Sequence, residues 1–192
     1  MLRSMGMSAV YACALLLTAC GSHEHVVISS GGDAFTIANG KVVLHGAGGA
    51  TAEVSADGML TIDGKPVEVT DPQRATLVRY HTTAMQFIAH AKETGVAGAE
   101  VGVAAATEVV KGLTSGDTSK IGERIEAKVG PVKAAAGKLC EDLATIAELQ
   151  TTLSSELAAF RPFTVVGENE PVKCRRDLNK ETGEKGATSS AG

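Results

Sequence analysis

Cysteine and histidine offer the widest chemistry in this chain, which carries four of the first and five of the second. Cys13 and Cys20 belong to an apolar N-terminal stretch; Cys140 and Cys174 stand far apart in the C-terminal half. His23-Glu24-His25 sets two imidazoles on alternate residues and could chelate a divalent metal. Two ligands on a flexible strand hold metal weakly, though, and no third or fourth ligand is nearby, so the segment reads as solvated linker. Tyr80-His81 and His90 fall on a helical pattern, the two histidines nine residues apart and so on opposite faces. They read as surface histidines. His45-Gly46-Ala47-Gly48-Gly49 imitates a phosphate loop, but a strand pattern follows it where a helix N-terminus would be needed. The chain has no G-x-S-x-G, H-E-x-x-H, C-x-x-C or Walker A motif, and no serine or threonine paired by motif with a histidine and an acid. The sequence therefore assigns no catalytic residue, no metal ligand and no cofactor, and the expectation is a protein that is not an enzyme.

Cys20 takes its meaning from what precedes it. Arg3 is followed by an apolar run from Ala9 to Leu17 that ends in small residues, the layout of a secretory signal. The run is shorter than the ~20 apolar residues a spanning helix needs. Leu17-Thr18-Ala19-Cys20 resembles the lipobox of bacterial lipoproteins. That resemblance implies a signal peptide over residues 1–19 and lipid on Cys20, where two or more acyl chains give stable anchoring. The competing reading is an ordinary signal cut near Ala19, leaving Cys20 as a thiol. Since Gly21 rather than Asp follows the cysteine, the resemblance also implies the periplasmic face of the outer membrane.

Processing of this kind would leave two thiols. Cys13 departs with the leader, lipid blocks Cys20, and Cys140 and Cys174 remain in an oxidising compartment. Twenty helical residues from Cys140 to Phe160 carry the chain ~30 Å away. The 14 residues back to Cys174 reach at most ~46 Å when extended. A Cys140–Cys174 disulfide is thus expected. The alternative is a small buried Cys140 beside a free Cys174.

The formal charge is −4, one unit more negative without Arg3, which argues against a nucleic-acid partner. Aromatic residues make up only 3% and tryptophan is missing, so the core favours close helix packing over a deep aromatic pocket.

The elements that would position these residues read as α+β: a small N-terminal antiparallel β meander, then a long-helix bundle or helical hairpin. Residues 20–25 form a lipidated tether. Residues 26–69 carry four to six short strands punctuated by Asn39-Gly40, Asp57-Gly58 and Asp63-Gly64, pairs that supply the positive φ of tight hairpins. Thr70-Asp71-Pro72-Gln73 is a capping box with proline in the first turn, opening a helical region over residues 70–162. In the first helix, Gly98, Gly102 and Ala106 make a small-residue ridge. It suits either a membrane glycine zipper or close packing in a soluble bundle, and Glu100, Glu108 and Lys111 favour the bundle. Gly130-Pro131 predicts a kink or a new helix start. The last helix sets Leu139, Leu143, Ile146, Leu153, Leu157 and Phe160 on an a/d seam with Gln150 at the missing position. That seam would pack on the first helix, or on a second copy. Residues 163–178 read as an extended return segment, and residues 179–192 as a disordered tail.

The stretch from Asp57 to Arg74, with its Asp-Gly…Asp-Gly-Lys hairpin running into a helix near Gln73, resembles the YggN-like family of uncharacterised periplasmic proteins. Cys140 ahead of a leucine-patterned helix resembles that family's C-terminal end. The lipobox and the shorter helical region depart from its pattern. The family carries no established activity, so the resemblance implies a fold and a compartment but no catalytic residues. Two functional expectations follow. The first is an envelope lipoprotein, membrane-bound through Cys20, that docks a protein partner or plays a structural role. The second is a periplasmic module for a small ligand or lipid. An exposed apolar patch along the Ala/Gly helix would favour the first and an enclosed apolar cavity the second. The oligomeric state is left open.

Overall fold

A computed structural model describes residues 28–30, 33–115 and 121–183. Six antiparallel strands form one sheet in simple sequence order: β1 (Ile28–Ser30), β2 (Asp33–Ala38), β3 (Lys41–His45), β4 (Thr51–Val54), β5 (Leu60–Ile62) and β6 (Lys65–Val67). Three helices follow, α1 (Asp71–Ser115), α2 (Ile121–Glu156) and α3 (Glu170–Gly183), with a 3₁₀ segment at Ala158–Phe163 between the last two. The fold is α+β, a meander beside a long helical hairpin.

Turn chemistry sets the register of the sheet. Asn39 and Gly40 adopt φ of 51° and 72°, and Asp63 and Gly64 adopt 48° and 75°. Both central residues are left-handed, the geometry of a two-residue turn that matches strand twist. Phe35 then pairs with Leu44, Ile37 with Val42, Val42 with Val54, Leu44 with Ala52, and Val54 with Leu60. Because side chains alternate, this register puts every one of those residues on a single buried face. The third turn differs. At Asp57-Gly58 only Gly58 is left-handed, at 76°, and the Ser55 amide pairs with the Met59 carbonyl across it. A Cβ on Gly58 would stand 2.6 Å from the Arg74 carbonyl oxygen and 2.9 Å from Val78, so the glycine lets this hairpin lie against α1.

α1 starts where Thr70 predicts. The Thr70 amide donates to Gln73 Oε1 at 3.0 Å and the Gln73 amide to Thr70 Oγ1 at 3.5 Å. Gln73 Nε2 also donates to the Glu156 carbonyl at 2.8 Å, so the residue that opens α1 closes α2. The core sits at this end of the hairpin. Leu77, Tyr80, Ala84 and Ile88 of α1 and Ile146, Leu149 and Leu153 of α2 pack on the sheet face, with Leu157, Phe160, Phe163, Val165 and Val166 closing the third side. The α2 seam therefore packs on α1 and the sheet within one chain. Beyond Ile88, α1 runs 27 more residues, about 40 Å, and buries none fully among those described.

Several expectations are corrected. Pro131 does not start a new helix: α2 runs from Ile121 to Glu156 with the proline inside it. The proline is exposed, so the carbonyl it deprives of a donor lies on the solvent side. Residues 163–178 are not an extended return. The chain turns at Gly167–Asn169 and coils into α3, whose Pro171, Cys174 and Leu178 face inward at helical spacing while Val172 stays exposed. Of the expected tail, residues 179–183 continue that helix; the remainder lies outside the described residues, as do Cys20 and the tether.

Candidate functional site

The two C-terminal cysteines meet. Cys140 and Cys174 form a disulfide with Cα atoms 5.6 Å apart, tying α3 to α2. Cys140 is buried, and Gly137 one turn earlier lies near Leu178 of α3.

Neither helix histidine is a plain surface residue. His81 is buried, and its Nε2 lies 2.7 Å from the Gly40 carbonyl oxygen, so it fastens the β2–β3 hairpin to α1. His90 is half-buried, its Nδ1 2.5 Å from Asp142 Oδ2 in a link between α1 and α2. The two do lie on opposite faces. Sequence reasoning placed them correctly on the helix but missed that each face is covered. In the His45–Gly49 stretch, His45 ends β3 and Ala47–Gly49 form a 3₁₀ turn ahead of β4. A Cβ on Gly46 would stand 2.9 Å from the Phe163 ring, so the glycine serves packing. His23 and His25 lie outside the described residues. Among those described, no group of three or more His, Cys, Asp or Glu could hold a metal ion.

Gln150, the polar interruption of the apolar seam, is almost completely buried. Its Oε1 accepts from the Val165 amide at 3.0 Å, the Val166 amide at 3.3 Å and the Tyr80 hydroxyl at 3.4 Å. Its Nε2 donates to the Val166 carbonyl at 3.2 Å. One amide side chain thus pairs the backbone of a buried, irregular segment, which would otherwise carry unsatisfied polar groups. Burial pushes the Tyr80 phenol well above its ordinary pKa of 10.0, keeping it a neutral donor.

The far half of α1 is where apolar surface meets solvent. Val96, Val103 and Val110 are 62%, 70% and 60% exposed, and Ala99 and Ala106 are exposed between them. Steps of three, four, three and four residues put all five on one stripe. Gly95, Gly98 and Gly102 have nothing within 4 Å of where a Cβ would stand. The small-residue ridge expected to pack inside a bundle therefore meets no other element at Gly98 or Gly102 among the described residues. Nor is any described helix long and apolar enough to cross a membrane.

A second concave feature lies beyond the core end of α2. Gln150, Thr151, Ser154 and Ser155 of α2, Arg161 and Thr164, and Val166, Gly167 and Glu168 line an open groove of about 410 Å³. It is open and mixed in character, not the enclosed apolar cavity expected of a lipid carrier.

No family model, curated protein or solved structure matches this chain.

Proposed function

We propose that this protein is a lipid-anchored envelope protein, held to a membrane through Cys20, that docks a protein partner on the exposed face of α1. The observation that carries the reading is the stripe Val96–Ala99–Val103–Ala106–Val110. Burying a valine side chain gains ~1.5–3 kcal/mol relative to leaving it exposed, so three largely exposed valines in line are apolar surface that the described residues leave uncovered. Exposed apolar residues scattered singly need no explanation, but a contiguous stripe at helical spacing fits an interaction face. The sheet supports the same division of labour. It anchors the hairpin at its base, next to the expected tether, and the hairpin carries the stripe outward.

The test is photocrosslinking from position 103 in native-host membranes. Wild type should yield a discrete adduct, and Val96→Ser with Val110→Ser should abolish it while leaving the thermal transition in place. A crosslink pattern unchanged by that double substitution would sink the proposal.

A further inference from the structure

The groove at the end of α2 has a chemistry that the docking stripe does not share, and it uses none of the stripe's residues. Arg161 spends its Nε on the Ser154 carbonyl at 3.1 Å, which fixes one edge of the guanidinium. Its two Nη groups make no bond among the described residues, and no carboxylate pairs with it. Glu168, lining the same groove, pairs with no cation among the described residues. Opposite charges thus share one concavity without neutralising each other.

The hydroxyls that line the groove are all spent on backbone carbonyls. Thr151 donates to the Ala147 carbonyl at 3.0 Å, Ser154 to Gln150 at 2.7 Å, Ser155 to Thr152 at 2.8 Å and Thr164 to Arg161 at 3.3 Å. Each O–H is committed to backbone, so each oxygen offers the groove only lone pairs. Gln150 spends its Oε1 on Val165, Val166 and Tyr80 and one Nε2 hydrogen on the Val166 carbonyl, so its acceptor is taken up within the fold. The Arg161 Nη groups are therefore the charged donors of the groove, Glu168 and the hydroxyl oxygens are its acceptors, and Val166 is an apolar patch in its lining.

We propose that this groove binds a zwitterion, a free amino acid or a short peptide with both termini uncapped. The ligand's carboxylate would take the two Nη groups of Arg161, for which a planar fork is the matched partner. Its ammonium, with three donors and no acceptor, would take Glu168 and the hydroxyl oxygens. A saccharide fits less well, since no aromatic ring lines the groove as a platform. The volume is at the small end of the ~300–1,000 Å³ typical of ligand sites, which favours a ligand of one to three residues.

The test is NMR titration of the oxidised chain from residue 21 with alanine, dialanine, N-acetyl-dialanine and dialanine amide. An uncapped ligand should shift the Val166, Gly167 and Glu168 amides, and the tighter of alanine and dialanine identifies the source. Capping either terminus should weaken binding at least tenfold. Glu168→Gln breaks no bond of the fold and should cost the uncapped ligand tenfold or more while leaving the N-acetylated one unchanged. Arg161→Gln should do the converse. Capped ligands that bind as tightly as uncapped ones, or no shift of those three amides with either uncapped ligand, would overturn the assignment. Because the stripe is untouched by these changes, failure here leaves the docking proposal standing.

Discussion

Single residues join the parts of this molecule more than single motifs do. Gln150 is the clearest case. Its place in the seam was visible in the sequence as a polar gap in an apolar pattern, but its partners were not, because they lie 15 and 16 residues on in a segment with no regular structure. Gln150→Leu keeps the volume and strands two amides and a carbonyl. At ~1–3 kcal/mol for each unsatisfied buried group, a loss of at least about 3 kcal/mol is expected in urea unfolding with the disulfide intact. Tyr80 gives an independent check. In a chain that starts at residue 21 it is the sole tyrosine, so phenolate absorbance reports it alone. Burial raises its folded-state pKa, so the stability it contributes is complete below its unfolded pKa of ~10 and is lost as pH rises above that value. Tyr80 should therefore show no phenolate absorbance at pH 10–11 while the fold persists, and should ionise together with the loss of far-ultraviolet helicity. A smooth titration centred near pH 10 in folded protein would contradict the burial. Asn39-Gly40, Asp63-Gly64 and the Thr70–Gln73 box could be read directly, since each is complete within four residues.

At the scale of elements, legibility follows how much of the folding information is local. Strands and α1 announce themselves through turn pairs and a cap. α3 does not: over Glu170–Gly183 the inward side is only Pro171, Cys174 and Leu178, too sparse to register as an amphipathic helix. An isolated helix of 14 residues is marginal in water. The disulfide supplies what the sequence lacks, since it holds α3 against α2 with a closed loop of about 35 residues, worth roughly 3–4 kcal/mol in the chain-entropy model. Reduction by a small dithiol, or Cys174→Ser, should therefore unravel α3 selectively. Amide exchange across residues 170–183 should become unprotected while Leu77, Leu149 and Leu153 stay protected at lower global stability. Equal protection of α3 in oxidised and reduced protein would show that packing alone sustains it. The Gly/Ala half of α1 was misread for a related reason. A small-residue ridge shows that close approach is allowed, not which surface approaches, and Gly98 and Gly102 face open space.

Across the whole molecule, the sheet and the helical hairpin share one core, and neither closes it alone. The buried sheet face, Phe35, Ile37, Val42, Leu44, Ala52, Val54 and Leu60, is covered, among the described residues, by the helices, the 3₁₀ segment and Val165–Val166. Three further contacts rivet the halves together: His81 on the Gly40 carbonyl, the Gly58 turn against Arg74 and Val78, and Gly46 beneath Phe163. Two of these depend on glycines whose role needs the tertiary neighbour, so no reading of the sequence alone could have named them. A meander of six short strands with one uncovered apolar face is not expected to hold together in water. Residues 21–70 expressed alone should therefore show no cooperative thermal transition and should bind a hydrophobic dye. The full chain should melt in one step, because loss of the sheet uncovers Leu77, Tyr80 and Phe160 at the same moment. Gly46→Ala tests the coupling without removing either half. Its Cβ would meet the Phe163 ring and the Pro162 carbonyl, so the 3₁₀ segment must shift away from the sheet. Overpacking of this kind costs ~1–3 kcal/mol. The expected result is a lower melting temperature reported equally by sheet and helix probes. Two separate transitions in that variant, or a cooperative melt of residues 21–70 alone, would show that the meander is a domain in its own right and that the hairpin is only appended to it.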